Sequence, residues 1–193
     1  MTGTQPSETA DLHKAETPTP DRYGGLKVVE DDLKGDFFMA KRKYIAYGSN
    51  LNVQQMKWRC PHAKIMGTGE LKDWRLLFKG SKTGAYLTIE KCEGYSVPFA
   101  VWEVNATDEA ALDRYEGFPT FYYKQELPFE YTGIRTGRTH KTKGFVYIMH
   151  EDRPIGIPSK HYVEVCATGY MTFGFNYERI LESLRYSEEV TKE

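Results

Sequence analysis

A glycine-containing segment between a predicted strand and a predicted helix is the first candidate for chemistry. Residues 47–51 read Y-G-S-N-L, directly after a short apolar run at 44–47 and before a helical pattern over 53–59 that Asn50 or Asn52 can cap. Backbone N–H groups at such a turn point into one space, which suits a carboxylate or a developing oxyanion. An ordinary turn is the alternative, because Gly, Ser and Asn tolerate turn geometry in any protein.

A glutamate at the end of a predicted helix is the second candidate. Glu116 is the last residue before Gly117, which we expect to end a helix that Thr107 begins as N-cap. A carboxylate there faces the negative end of the helix dipole, and nearby aromatic residues would exclude water: Tyr115, Phe118 and Tyr123. Both effects raise the pKa of the carboxyl group, as a general base near neutral pH requires. The alternative is a solvated glutamate at a helix end.

Other reactive residue types form weaker patterns. Ser49 lacks the G-x-S-x-G elbow of a serine hydrolase, and no recognisable catalytic sequence surrounds its possible partners His62, His140, His150 and His161. Only Cys60 has a histidine close by in sequence, and no second ligand pair follows, so we predict no metal site and no cofactor. Cys92 and Cys166 fit buried core positions better than nucleophilic ones.

Charge and hydropathy favour neither nucleic acid nor membrane as a partner. The chain of 193 residues has a formal net charge of -1, and no apolar run approaches the ~20 residues of a membrane-spanning helix. One basic run has turn residues between its charges, so we predict a solvated hairpin there: Arg135, Arg138, His140, Lys141 and Lys143. No targeting segment is evident, and we expect a cytoplasmic protein.

Composition divides the chain into a leader and one folded domain. Residues 1–38 hold eight acidic and four basic side chains, and the first twenty contain no aromatic residue, which predicts a flexible leader. The domain, residues 39–193, is rich in predicted strands, at 63–67, 74–78, 86–90, 97–104, 122–131 and 143–149. Two further helices are predicted at 161–171 and 177–184.

The two candidate segments together resemble the γ-glutamylcyclotransferase family. Y-G-S-N-L at 47–51, L-D-x-x-E-G-x-P at 112–119, a tyrosine seven residues after the glutamate and V-Y-I-M at 146–149 occur in the order that this family shows. The resemblance covers roughly residues 43–170 and implies an α+β fold, a small mixed β-barrel with flanking helices. It implies that Glu116 is the catalytic acid/base. It also implies a substrate-binding set of Tyr47, Gly48, Ser49, Asn50, Leu51, Tyr123 and Tyr147.

The resemblance further implies the reaction. The α-amine of a γ-glutamyl amide attacks its own γ-carbonyl, which closes the ring of 5-oxoproline and releases the attached amine or amino acid. No cofactor is needed, and the implied partner is a small γ-glutamyl molecule bound by a monomer or homodimer. The loop Ser49-Asn50-Leu51 resembles the branch acting on γ-glutamyl amino acids more than the branch acting on γ-glutamyl-lysine. The alternative is a non-catalytic or regulatory module that binds a small molecule on the same barrel.

Overall fold

The computed structural model describes residues 41–81 and 84–192. Over these residues, five strands and four helices follow one another in a mixed order, with one 3₁₀ turn after the first strand. In chain order they are β1 (Arg42–Ala46), the 3₁₀ turn (Ser49–Leu51), α1 (Val53–Arg59), β2 (Lys64–Ser81), β3 (Gly84–Val104), α2 (Ala106–Glu116), β4 (Tyr122–Gly133), β5 (Thr139–Met149), α3 (Lys160–Thr172) and α4 (Glu178–Val190). The predicted leader, residues 1–38, and its boundary lie outside the described residues.

The strands close into a barrel in the order β1-β3-β2-β4-β5. β1 pairs parallel with β5 and antiparallel with β3, and the remaining pairs are antiparallel. Large apolar side chains fill the interior, among them the fully buried Phe78, Phe99 and Phe145. The expected α+β fold, a small mixed β-barrel with flanking helices, is confirmed.

Two long strands replace four of the short strands that the sequence predicts. β2 runs through the predicted strands 63–67 and 74–78, and β3 runs through 86–90 and 97–104. Between them, the pairs Lys72↔Ser96 and Trp74↔Lys91 leave four residues of β3 opposite Asp73 alone. Asp73 adopts a positive φ of 60°, and its carboxylate accepts a hydrogen bond from the Gly94 amide at 3.1 Å. The interruption that the sequence predicts between strands 86–90 and 97–104 is therefore a bulge within a continuous hairpin.

The barrel closes through a short contact between β2 and β4. Only two residue pairs join these strands, Gly67↔Gly133 and Thr68↔Thr132. A Cβ atom on Gly67 would lie 2.0 Å from the carbonyl oxygen of Thr132, so any larger residue would push the two backbones apart. The absence of a side chain at residue 67 is thus a condition of closure.

The helix that carries Glu116 begins two residues earlier than predicted. Its N-cap is Asn105, not Thr107, and the Asn105 side chain accepts a hydrogen bond from the Asp108 amide at 2.8 Å. The chain leaves β3 at Val104, and Asn105 is still extended, so its carbonyl can accept the first helical bond from Glu109 at 2.9 Å.

Across the described residues, no helix is long and apolar enough to span a membrane.

Candidate active site

The Y-G-S-N-L segment forms a tight turn at one end of β1. The Leu51 amide donates to the Gly48 carbonyl at 2.9 Å, and the Asn52 amide donates to the Ser49 carbonyl at 3.0 Å. The amides of Ser49 and Asn50 begin the 3₁₀ turn and therefore have no acceptor within it. They are the backbone donors that this turn can offer to a bound group.

Helix α3 holds this turn against the barrel. A Cβ atom on Gly169 would lie 2.6 Å from the Cβ of Leu51, so the helix backbone packs directly on the turn. Leu51 is fully buried, and it lines neither of the two cavities beside Glu116. Leu51 is therefore the core residue of the Y-G-S-N-L segment that anchors the turn.

Asn52 caps α1, because its side chain accepts a hydrogen bond from the Gln55 amide at 3.1 Å. This resolves the choice between Asn50 and Asn52 as the cap.

Glu116 is the last residue of α2, as predicted. Gly117 follows in the left-handed conformation, with φ of 63°, and the Phe118 amide donates back to the Asp113 carbonyl at 3.0 Å. This arrangement is a common helix C-terminus, in which a glycine reverses the chain without strain. It turns the chain away immediately after Glu116, whose partly buried side chain faces the turn at the end of β1.

Asn50 links Glu116 to two further side chains. The Asn50 amide nitrogen donates to Glu116 Oε1 at 2.7 Å and to the Tyr44 hydroxyl at 2.7 Å. The Asn50 carbonyl oxygen accepts from the Arg59 guanidinium. Because an arginine side chain can only donate, it sets the orientation of this amide, and the nitrogen is the atom that faces Glu116.

The electrostatic environment of Glu116 fits a proton carrier. Burial raises its pKa from 4.5 to about 7, although the positive charge of Arg59 and the hydrogen bond from Asn50 both act to lower it. Removal from water is therefore the dominant cause. A carboxyl group with this pKa exchanges a proton readily at neutral pH, which is what general acid–base catalysis requires.

Tyrosines surround the space between the turn and Glu116. Tyr47 donates to the Tyr147 carbonyl at 2.7 Å, and the Tyr147 hydroxyl donates to the Asp113 carboxylate at 2.6 Å. Burial raises the pKa of both phenols, so each remains a neutral hydroxyl at physiological pH. Gly48 lies beside them, and a Cβ added there would be 3.6 Å from the Tyr162 hydroxyl.

The structure does not bring Tyr123 to this space. Consecutive residues of a strand point to opposite faces, and on β4 it is Tyr122 that faces Glu116. Tyr122 is buried and donates to the Leu87 carbonyl at 2.8 Å. The hydroxyl of Tyr123 donates instead to the Glu151 carboxylate at 2.6 Å, and its ring lies 5.4 Å from the His150 ring.

Two adjoining cavities meet at Glu116. The inner cavity has a volume of about 20 Å³ and reaches Gly48, Asn50 and Tyr147. The outer cavity has a volume of about 330 Å³. Four residues line both of them: Ser49, Glu116, Tyr122 and Tyr162. The carboxylate thus lies where a small space meets a much larger one.

Four residues of this site escaped sequence reasoning, namely Tyr44, Arg59, Tyr122 and Tyr162. Arg59 lies in the last turn of α1, nine residues after its partner Asn50, and only the fold of that helix onto the turn brings the two together. Tyr162 lies on α3, and its hydroxyl accepts from the Leu87 amide at 3.1 Å. Tyr122 and Tyr123 are adjacent at the start of β4, so the sequence indicates one as readily as the other.

The two buried cysteines, Cys60 and Cys166, line neither cavity of this site. Burial raises the pKa of the Cys60 and Cys166 thiols to about 12, so neither is a nucleophile at neutral pH. Within 41–81 and 84–192, no three His, Cys, Asp or Glu side chains are grouped to hold a metal ion. The basic run on the β4–β5 hairpin is exposed, and Lys141 pairs there with Glu130 at 2.7 Å.

Comparison with known proteins shows which family this chain belongs to. The family model described as gamma-glutamyl cyclotransferase, AIG2-like, matches residues 44–164, which is more than half of the chain. The chain belongs to this family. The matched region runs from β1 to α3 and so includes both the turn and Glu116.

Individual relatives agree with the family. A gamma-glutamylcyclotransferase from Bos taurus is 29% identical over 163 residues, covering 78% of this chain and 84% of the relative. Its counterpart from Homo sapiens is 27% identical with the same coverage. Among solved structures, one described as gamma-glutamyl cyclotransferase has a TM-score of 0.59 at 23% identity, over 78% of this chain and 86% of that one. The last likeness supports the fold.

Proposed function

We propose that this protein is a γ-glutamyl cyclotransferase that releases 5-oxoproline and a free amine or amino acid from a γ-glutamyl amide. The observation that carries the proposal is the Glu116 carboxyl group, which burial gives a pKa of about 7. It accepts a hydrogen bond from Asn50 at 2.7 Å and lies beside the turn whose Ser49 and Asn50 amides can donate to a bound group. The family membership and the relatives' names support the same reaction.

Glu116 acts first as base and then as acid in this mechanism. Its carboxylate takes a proton from the α-ammonium group of the substrate, and the resulting amine attacks the γ-carbonyl carbon of the same molecule. The new C–N bond closes a five-membered ring. Glu116 then returns this proton to the departing nitrogen, and the original amide C–N bond breaks. The ring nitrogen gives up the second proton of the former ammonium group to the released amine, which leaves as an ammonium ion.

Electrostatic support comes from the turn. As the amine attacks, negative charge develops on the γ-carbonyl oxygen, and the amides of Ser49 and Asn50 are available to stabilise it or the substrate's α-carboxylate. Because nucleophile and electrophile belong to one molecule, holding the folded conformer removes much of the entropic barrier. This chemistry needs one proton carrier and a few fixed donors.

The cavity volumes suggest where the reacting atoms lie. A space of about 20 Å³ holds little more than one water molecule, so the inner cavity cannot enclose a glutamyl group as it stands. We therefore place the reacting carbonyl at the junction of the two cavities, where Ser49 and Glu116 line both. The leaving group then extends into the outer cavity.

The decisive experiment is mass spectrometric detection of 5-oxoproline from the purified protein and from Glu116→Gln. The substrates are a panel of γ-glutamyl amino acids, γ-glutamyl amines and glutathione. We expect product from the native protein and a fall in kcat of about 10² to 10⁴ in the variant, the usual contribution of a general acid–base group. Glu93→Gln is the matched control, because Glu93 is an exposed glutamate outside both cavities.

Two results would overturn the proposal. Undiminished turnover in Glu116→Gln, with the variant folded by circular dichroism, would remove the role of this carboxylate. Thermal stabilisation of the native protein by the same γ-glutamyl compounds, with no 5-oxoproline formed, would instead support a module that binds without turnover.

A further inference from the structure

The outer cavity has an aromatic wall built from three separate parts of the chain. Tyr86 comes from β3, Tyr122 is the first residue of β4 with Phe121 directly before it, and Tyr162 comes from α3. Their rings pack edge to face, with centroid distances of 6.1 Å for Tyr86–Phe121, 5.1 Å for Tyr86–Tyr162 and 5.3 Å for Phe121–Tyr122. Such mutual contacts hold the rings in place before any ligand arrives.

The hydroxyl groups of Tyr122 and Tyr162 in this wall are already engaged outside the cavity. The Tyr122 hydroxyl donates to the Leu87 carbonyl at 2.8 Å, and the Tyr162 hydroxyl accepts from the Leu87 amide at 3.1 Å. What these two residues offer to the cavity is therefore mainly ring carbon. Tyr86 remains 37% exposed at the cavity, so apolar surface is available there for a ligand to cover.

Tyr115 lines the same cavity and is held in a fixed position. The Arg59 guanidinium lies 3.2 Å from the centroid of its ring, and its hydroxyl is 3.1 Å from Ser49 Oγ. Tyr115 is 46% exposed although two side chains constrain it. A constrained and exposed aromatic ring beside a catalytic carboxylate is a surface that a substrate group would bury.

One basic side chain lines the cavity among the described residues, that of Arg114. Arg114 is exposed and forms no ion pair within 41–81 and 84–192, whereas its neighbour Asp113 pairs with Lys124 at 2.8 Å. The cavity thus has the Glu116 carboxylate at its inner end and the Arg114 guanidinium at another point of its lining. The aromatic wall supplies apolar surface. A substrate with an ammonium group at one end and a carboxylate and an apolar side chain at the other matches this distribution.

We propose that the outer cavity is the leaving-group subsite and that it selects amino acids with an aromatic or large aliphatic side chain and a free α-carboxylate. The aromatic wall takes the side chain, and Arg114 pairs with the carboxylate. The positive charge of Arg114 disfavours cationic leaving groups such as lysine or a polyamine. This inference rests on the proposed function, since it assigns the part of the substrate that the reaction releases.

The test compares three substrates that differ in one feature each. γ-Glutamyl-phenylalanine has both the ring and the carboxylate, γ-glutamyl-phenethylamine lacks the carboxylate, and γ-glutamyl-alanine lacks the ring. For the native protein we expect kcat/KM for γ-glutamyl-phenylalanine to exceed each of the others by about tenfold or more. In Arg114→Gln the preference for the carboxylate should fall to near one, while kcat/KM for γ-glutamyl-phenethylamine is retained.

The matched control is Arg135→Gln, an exposed arginine on the β4–β5 hairpin outside the cavity, which should keep the native preferences. Equal kcat/KM for the three substrates, or an unchanged carboxylate preference in Arg114→Gln, would overturn the subsite. Failure of the proposed function is distinct, because then no substrate yields 5-oxoproline. Calorimetric titration of Glu116→Gln with the same three compounds still tests the subsite in that case, and equal affinities would refute it.

Discussion

Replacing Glu116 by glutamine should make the protein more stable, and by an amount that depends on pH. Burial raises the pKa of Glu116 from 4.5 to about 7 in the folded protein, whereas in the unfolded chain the carboxyl group returns to its ordinary pKa. Between these two values the folded state binds more protons than the unfolded state. The free energy of unfolding therefore falls as the pH rises through this window and levels off above pH 7.

The size of the effect follows from the same two pKa values. With about 1.4 kcal/mol for each pKa unit, a rise from 4.5 to about 7 means that the ionised carboxylate destabilises the fold by on the order of 3 kcal/mol above pH 7. Glutamine has nearly the same shape and carries no charge, so it lacks this penalty at every pH. The stability gained by Glu116→Gln should thus increase by about 2 to 3 kcal/mol from about pH 5 to about pH 8.

Urea unfolding of the native protein and the variant across that pH range measures this difference. Taking the difference at each pH cancels the titration of all other groups. Glu93→Gln is the control, because Glu93 is exposed and has no ion pair among the described residues, and its effect should stay within about 0.5 kcal/mol throughout. A Glu116→Gln difference that does not change with pH would mean that the carboxylate is solvated, and the argument for a proton carrier would fail with it.

Substitutions at three further positions, two of them with a control variant, test the surroundings of the carboxylate. Arg59→Met removes a positive charge that lowers the pKa of Glu116, so the acid limb of the kcat/KM profile should move to higher pH, while Arg59→Lys should leave it closer to its native position. Tyr122→Phe leaves the Leu87 carbonyl on β3 without its hydrogen-bond donor and should lower the kcat/KM of the purified protein. Tyr123→Phe is on the opposite face of β4 and should leave kcat/KM close to native. Gly169→Ala puts a Cβ atom 2.6 Å from that of Leu51, so thermal unfolding should show a loss of about 1 to 3 kcal/mol and turnover should fall as the turn is displaced.

Local sequence patterns were sufficient for the elements that carry the site. The helix ending at Glu116 was expected because Gly117 can reverse the chain in the left-handed conformation, and it adopts φ of 63° there. The turn after β1 was expected because glycine and asparagine interrupt an apolar run. The family that these two segments resemble then indicated a β-barrel, which the structure confirms.

Interactions between distant residues escaped the same patterns. The sequence predicted separate strands at 86–90 and 97–104, but β3 continues through both because Asp73 on the partner strand accepts a hydrogen bond across the bulge. It predicted Thr107 as the N-cap, although the backbone is still extended at Asn105 and lets that side chain cap the helix. In both cases a neighbouring element decided between two locally acceptable conformations.

The order of residues along the chain is enough to establish which chemical groups are present and in which local elements they lie: a glutamate at a helix end and an amide-rich turn after a strand. The sequence also predicts a raised pKa for Glu116, but the size of the shift and the residues of the cavity walls depend on the packing of the whole domain. Arg59 reaches Asn50 because α1 folds back on the turn, and Tyr122 rather than Tyr123 faces Glu116 because barrel closure fixes which face of β4 points inward. The pKa of about 7 at Glu116 arises from burial by these elements together, which no segment of the chain produces alone.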